Sequence, residues 1–268
     1  MTHVLGHANF SVYVCDPFGV RLTDASNFVS LKYARVVNNW STMELVLPNS
    51  FDQTMLRIPD GRIEVWRRIP GTTREVLDTE TIWLMKAPEW ERDDRGNETL
   101  TIEADTPLSI LKEPGRFVNY NASSSNFSDF TSDAFDDAIR AIAAQNIGSE
   151  NTSESTQLRD LSAYISIAPT LSQGPVGSKS FAWRDCLKTM QEIANASAQA
   201  GTYLAFDIVA PAPNTLEFRV YLNWRNIDHR FPNGINPVII GPEFGNMGAC
   251  TLREDWRNEI TYARAGGK

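Results

Sequence analysis

Between residues 10 and 106 the chain alternates apolar and polar side chains repeatedly, and nowhere sustains the three-to-four spacing of an amphipathic helix. Period two sends successive side chains to opposite faces of an extended chain, so this stretch can bury its apolar face only by pairing strands into a sheet. "FSVYVCD" runs into the turn signal "PFG" and then "VRLTD", which predicts an opening hairpin. "FVSLKYARVVN" and "STMELVLP" follow, separated by a polar step around Asn38 and Asn39. "GRIEVWRR" and "TIWLMKAPEWER" continue the alternation, and the turn "DDRGN" leads into "ETLTIEAD". About six to eight strands and no helix are expected in this block.

The texture then changes. After a serine-rich loop, Ala134, Phe135, Ala138, Ile139, Ile142 and Ala143 recur at helical spacing. Thr131 or Ser132 is the expected N-cap, and Gly148 is expected to close the helix in the left-handed conformation. Asp133, Asp136 and Asp137 fall near the positive end of that helix and need no catalytic role. "SENTSESTQ" reads as a polar, mobile loop. A second helix is expected from Ser180, as N-cap, with Asp185 in its early turns and Gly201 as its stop. Trp183, Cys186, Leu187, Met190, Ile193, Ala194 and Ser197 form its apolar face. "TYLAFDIVA" and "TLEFRVYLN", joined by "PAPN", read as a hairpin on which that helix can lie. Three short strands, "PVIIG", "ACTLRED" and "EITYARAG", complete the chain, and no internal repeat is visible.

Composition removes several function classes. A formal charge of −8 and a pI near 5.0, without a lysine or arginine run, argue against tight nucleic-acid binding. No leader pattern opens the chain and no apolar run approaches membrane-spanning length, which predicts a protein made and folded in a cytoplasm. Cys15, Cys186 and Cys250 are too widely spaced for a zinc pair or a disulfide framework and read as small buried hydrophobes.

Catalytic constellations are scarce. His3 and His7 stand four apart in "HVLGH", which carries a glycine and lacks the glutamate of a zinc-protease helix, and His229 is the remaining histidine. Asp93 with Asp94 and Glu254 with Asp255 are the adjacent acidic pairs considered for glycan hydrolysis, and both read more simply as solvated loop or strand-end residues. "GPVGSKS" lacks the ending of a phosphate-binding loop. Trp66, Trp83 and Trp90 could present a sugar-binding surface, but large aromatics in strands more often fill cores or subunit interfaces. No catalytic, cofactor-binding, metal-binding or interface residue is assigned.

Particular phrases go further. "VYVCDPFGVRLTDASNFVSLKYARVVNNWSTMELVLP" followed by "RIEVWRRIPG" resembles the start of the tail hub, or tail-associated, proteins of phages with long non-contractile tails. "RDLSAYISIAPTLSQGP", "FAWRDCLKTMQEIANASAQAGTYLAFDIV", "LEFRVY", "PVIIGPEFGNM" and "NEITYARAGGK" extend the resemblance along nearly the whole chain. It implies an α+β, mainly β fold similar to the baseplate hub of contractile phages. Two β-barrel-like tube-forming domains, residues 1–112 and 202–268, would flank an α-containing insertion at 113–201, with the second domain compact or incomplete. The helix stopped by Gly201 would then return the chain from the insertion to the second domain.

The implied function is that of a structural, non-enzymatic virion protein of the tail tip. A homotrimer with two tube domains per subunit would make a pseudo-sixfold ring, able to adapt to the sixfold ring of the distal tail or tail tube protein. Tape-measure and fibre or receptor-binding proteins would be further neighbours, and DNA would pass transiently during ejection. No cofactor is implied. Rival readings are a cell-wall-degrading or glycan-binding tail protein and an unrelated β-sandwich adaptor.

Overall fold

A computed structural model describes residues 10–56, 58, 61–68, 75–92, 94, 96, 98–112, 128–150, 160–212 and 214–223. These residues are mainly β. The alternating first block forms β1 (Phe10–Cys15), β2 (Arg21–Asp24), β3 (Ser30–Tyr33), β4 (Thr42–Pro48), β5 (Arg62–Arg68), β6 (Glu75–Leu77), β7 (Trp83–Arg92) and β8 (Glu98–Asp105). All pair into one antiparallel sheet of order β2-β1-β5-β7-β8-β4-β3, with β6 on β5. The opening hairpin is present, with Tyr13 opposite Asp24. Asp16 fixes its turn by accepting the amides of Phe18 (2.9 Å) and Val20 (2.8 Å) on Oδ1.

The alternation sorts the two faces of this sheet. Val12 and Val14 of β1, Met43, Leu45 and Leu47 of β4, Ile63 and Val65 of β5, Trp83 of β7 and Leu100 and Ile102 of β8 share one buried core. Every other member of that core comes from the same sheet or its connections, such as Ala25, Phe51 and Leu56. Among the described residues, this core is built from one sheet and its own connections. Among the described residues, β2 and β3 end the strand order and do not pair with each other.

The remaining elements build a second core. A short 3-10 segment (Pro107–Lys112) leads to β9 (Ser128–Ala134), α1 (Phe135–Asn146), β10 (Ile165–Ile167), β11 (Val176–Phe181), α2 (Cys186–Gln199), β12 (Leu204–Ala212) and β13 (Thr215–Leu222). β12 and β13 form an antiparallel hairpin, β10 adds to β13 in parallel, and β9 pairs with β11 as a separate ribbon. Ile139, Ile142 and Ala143 of α1, Cys186, Met190 and Ile193 of α2 and Leu204, Phe206, Ile208 and Phe218 of the hairpin pack together. The second helix therefore does lie on the hairpin that follows it. Ile82 and Leu84, from the sheet's outer face, join this core, so part of the first sheet is covered on both sides.

Several local expectations are corrected. α2 is capped by Asp185, whose Oδ1 accepts the Lys188 amide (2.8 Å), and not by Ser180, which lies in β11 opposite Asp129. Trp183 precedes the helix with φ +54° and is exposed, so it leaves the apolar face predicted for it. Thr131 and Ser132 lie in β9, and α1 starts after Ala134 without a side-chain cap. They lie where the β9–β11 pairing is irregular, and the Ser132 amide donates to Ser178 Oγ (3.1 Å). Gly148 does not take the left-handed conformation; a Cβ there would stand 2.8 Å from the Ala144 carbonyl oxygen, so close approach explains the residue. Gly201, at φ +90°, does stop α2 as expected. The strands expected in "PVIIG", "ACTLRED" and "EITYARAG", and most of the "SENTSESTQ" loop, lie outside the described residues.

Candidate functional site

His3, His7, His229, Asp93, Glu254, Asp255 and Cys250 also lie outside the described residues. Asp94 is exposed in its turn. Trp83 is buried in the sheet core and packs its ring 5.4 Å from that of Tyr33, which is the structural role weighed for it. Trp66 is half-buried and donates Nε1–H to Glu64 Oε2 (2.8 Å), while Trp90 is exposed on the far half of β7. Cys15 and Cys186 are both buried. The "GPVGSKS" stretch is mostly strand β11. Asp136 and Asp137 hold the preceding loop: Asp136 accepts the Gly174 amide (2.8 Å), and Asp137 accepts the Ser172 hydroxyl (2.6 Å). Among the described residues no three His, Cys, Asp or Glu side chains gather as metal ligands, and no helix is long and apolar enough to cross a membrane.

Three other places stand out. The first is the pair of open sheet ends. Phe18, Val20 and Leu22 lie in or beside β2, and Val29, Val36 and Val37 flank β3; all six are exposed. Among the described residues each of these edge strands has a partner on one side only, beside apolar side chains, the arrangement that invites another strand.

The second is a polar clamp joining the sheet to the helical half. Asn38, at φ +56°, donates Nδ2–H to the Leu204 carbonyl (2.8 Å) and accepts the Phe206 amide on Oδ1 (2.8 Å). One side-chain amide thus fills the place of a neighbouring strand along the outer edge of β12. The Asn38 carbonyl accepts Gln191 Nε2–H of α2 (2.8 Å), and Arg35 pairs with the buried carboxylate of Asp207 in β12.

The third is a cavity of about 400 Å³ bounded by the β1–β2 turn, β5, β7, the 3-10 segment, β10 and β13. Arg62 and Lys86 are its charged lining residues, and Leu84, Ile110, Ile165 and Leu216 contribute apolar wall. Phe18 and Tyr164 meet at its rim with ring centroids 5.4 Å apart. Arg62 is 3% exposed, yet its Nε and Nη1 donate to nothing. Burial holds its guanidinium below the ordinary arginine value, against the pull of Glu64, Cys15 and Asp16. Glu64 is itself fully buried, with Trp66 on one oxygen and Arg21 Nε 3.8 Å away. Arg21 stacks over the rings of Tyr13 (3.9 Å) and Trp66 (4.7 Å). Sequence reasoning missed both the clamp and the cavity.

No family model and no curated protein matches the chain. Among solved structures it is similar to the tail protein from Neisseria meningitidis MC58, with a TM-score of 0.42 and 12% identity over 78% of this chain and 50% of that one. It is also similar to the E. coli c3393 protein, a component of the type VI secretion system with structural similarity to the T4 bacteriophage tail proteins gp27 and gp5. That match has a TM-score of 0.38 and 7% identity, covering 80% of this chain and 47% of the other. The chain thus spans about half the length of each. At these TM-scores function is argued from the chain's own surfaces.

Proposed function

We propose that the chain is a structural protein of a phage tail tip that assembles edge to edge with two further copies of itself. The observation that carries this reading is the eight-stranded sheet, whose two ends, β2 and β3, have among the described residues a strand partner on one side only, beside exposed apolar side chains. An isolated domain with such edges is prone to strand addition, whereas a ring of copies satisfies both edges at once. In this reading residues 1–112 and 202–268 supply tube-forming, barrel-like domains and residues 113–201 the insertion. The ring of three seats on a sixfold ring of distal tail or tube protein, within a virion assembled in a bacterial cytoplasm. Tape-measure and fibre proteins are its further neighbours.

DNA passes through the ring without being held. The net charge of −8 per chain supports this, since acidic groups facing a bore repel phosphate and let a duplex slide. Assembly and passage need no reaction at this chain. Light scattering coupled to size exclusion, across a concentration series and with a tail-tube protein added, tests the reading. A mass of three chains of 30.0 kDa, alone or on the partner, is the expected result. Leu22→Lys on β2 should return the assembly to monomer while leaving the circular dichroism unchanged. A monomer at every concentration, indifferent to tail proteins, overturns it.

A further inference from the structure

Among the described residues, a third strand of the large sheet has a bare side, and it is neither β2 nor β3. β7 pairs with β5 only at Trp83 and Leu84, after which the Met85 amide still reaches the Gly61 carbonyl (2.9 Å). From there β7 continues along β8, which β4 backs from Asp105 to Thr99, and among the described residues no strand pairs with its other side. Every residue from Lys86 to Arg92 is exposed. Strand periodicity gives this edge two unlike faces. Pro88 and Trp90 lie opposite Ile102 and Leu100 of β8, so they prolong the apolar inner face of the sheet, with Trp90 49% exposed at its margin. Ala87, Glu89 and Glu91 lie opposite Glu103, Thr101 and Thr99 on the other face. Among the described residues Glu89, Glu91 and Glu103 form no ion pair, although Arg92 at the same end of β7 reaches Glu98 (3.8 Å).

We infer that this edge takes up an extended segment of a different protein, one that sets an apolar residue beside Trp90 and a lysine or arginine beside each of Glu89 and Glu91. A strand added to β7 alternates as β7 does, so the residue beside Trp90 falls on the inner face and its two neighbours fall on the acidic one. Basic, apolar, basic is therefore the complementary order. The occupant is not a second copy, because nowhere in the sequence do two lysines or arginines stand at positions i and i+2. The net charge of −8 draws a basic partner from a distance. Pro88 limits the contact. A proline in a sheet keeps its nitrogen on the unpaired side, which puts the amide and carbonyl of Trp90, two residues on, towards the visitor. Pro88 itself has no amide to offer, and with the irregularity between Met85 and Ala87 it stops the ladder short of the sheet's centre. The contact is thus confined to Glu89–Arg92 and takes its selectivity from side chains. It is separate from the edges at β2 and β3 and does not depend on ring formation.

Chemical-shift perturbation of the whole protein by two acetylated peptide amides tests this. One is Thr-Lys-Val-Lys-Thr, and the other is Thr-Lys-Lys-Val-Thr, which holds the same composition and charge out of order. The ordered peptide should bind about fivefold more tightly, the yield of two exposed charge pairs. Its shifts should fall on Glu89–Arg92 and on Thr99 to Thr101, and it should slow hydrogen exchange at the Trp90 amide. Glu89→Gln together with Glu91→Gln should bring the two peptides to equal affinity, and Trp90→Thr should weaken the ordered one several-fold. All three positions are exposed, so the variants should keep the native melting temperature, and either set alone suffices to read the result. Equal affinity of the two peptides for the native protein reduces the site to unselective attraction of opposite charges. Shifts confined to β2 or β3 move the peptide to the assembly edges. No binding of either peptide at millimolar concentration makes Pro88 and the neighbouring irregularity a guard against strand addition. Each of these three outcomes removes the proposal, and none of them bears on the mass by which the ring is tested.

Discussion

The clamp around Asn38 and the cavity around Arg62 are both polar places where the sheet meets the helical half, and they are closed in opposite ways. At the clamp, Arg35 has the Asp207 carboxylate, and Asn38 engages two backbone groups of β12 and a side chain of α2. At the cavity, a more deeply buried arginine leaves two of its nitrogens without acceptors. The same residue type in the same fold is therefore satisfied where it joins elements and left open where space remains beside it. Satisfied polar groups specify how two surfaces meet, whereas at Arg62 the unpartnered nitrogens lie buried with the equally unpartnered Oε1 of Glu64 on the same face of β5.

That contrast predicts unequal costs. Asp207→Asn, which takes the carboxylate from a mostly buried guanidinium, should destabilise the fold by about 3 kcal/mol in urea denaturation. An unchanged midpoint would mean that the clamp contributes no more than a surface ion pair. Asn38→Ala removes both contacts to the β12 edge and should cost about 2 to 4 kcal/mol, with faster amide exchange at Phe206 as the local sign. Exchange unchanged at Phe206 would show that another group protects that edge.

Cys15 sharpens the comparison from the cavity side. Burial first, then the Glu64 carboxylate, pushes its thiol from 9.0 up to about 12. Below pH 9 folded and unfolded chains both keep the proton; above it the unfolded chain loses it first, so folding stability declines until pH passes about 12. The difference in slope between the native protein and Cys15→Ala should be about 1.4 kcal/mol per pH unit between pH 9.5 and 11.5. Parallel slopes would show that the thiol is not held protonated. The smallest effect belongs outside both places: Gly201→Ala, at φ +90° with open space around the added methyl, should cost about 1 kcal/mol from backbone strain alone. A larger loss would implicate packing at the end of α2.

The strands of the first block and the second helix were legible because their side chains follow a period. β9 and β11 were not, because "SDFTSDA" and "VGSKSF" carry few apolar residues and are held as a ribbon by pairing with each other. The cavity was hidden by the rule that revealed the strands. Period two puts Arg62, Glu64 and Trp66 of "GRIEVWRR" on one face, opposite Ile63 and Val65, and a reader of sequence assigns that face to water. Only the fold shows Arg62 and Glu64 buried there, with the helical half packed onto Leu84 beside them. The clamp was equally silent, since an asparagine in a polar connection reads as a turn residue.

The way Asn38 occupies β12 gives the molecule a sense of direction. A visiting strand seeking that edge needs the Leu204 carbonyl and the Phe206 amide, and both are already engaged by a side chain too short to propagate a ladder. Strand addition is therefore hindered at this end of β12, whereas among the described residues β2 and β3 carry no such plug, so the proposed assembly would use the large sheet and leave this end of the hairpin alone.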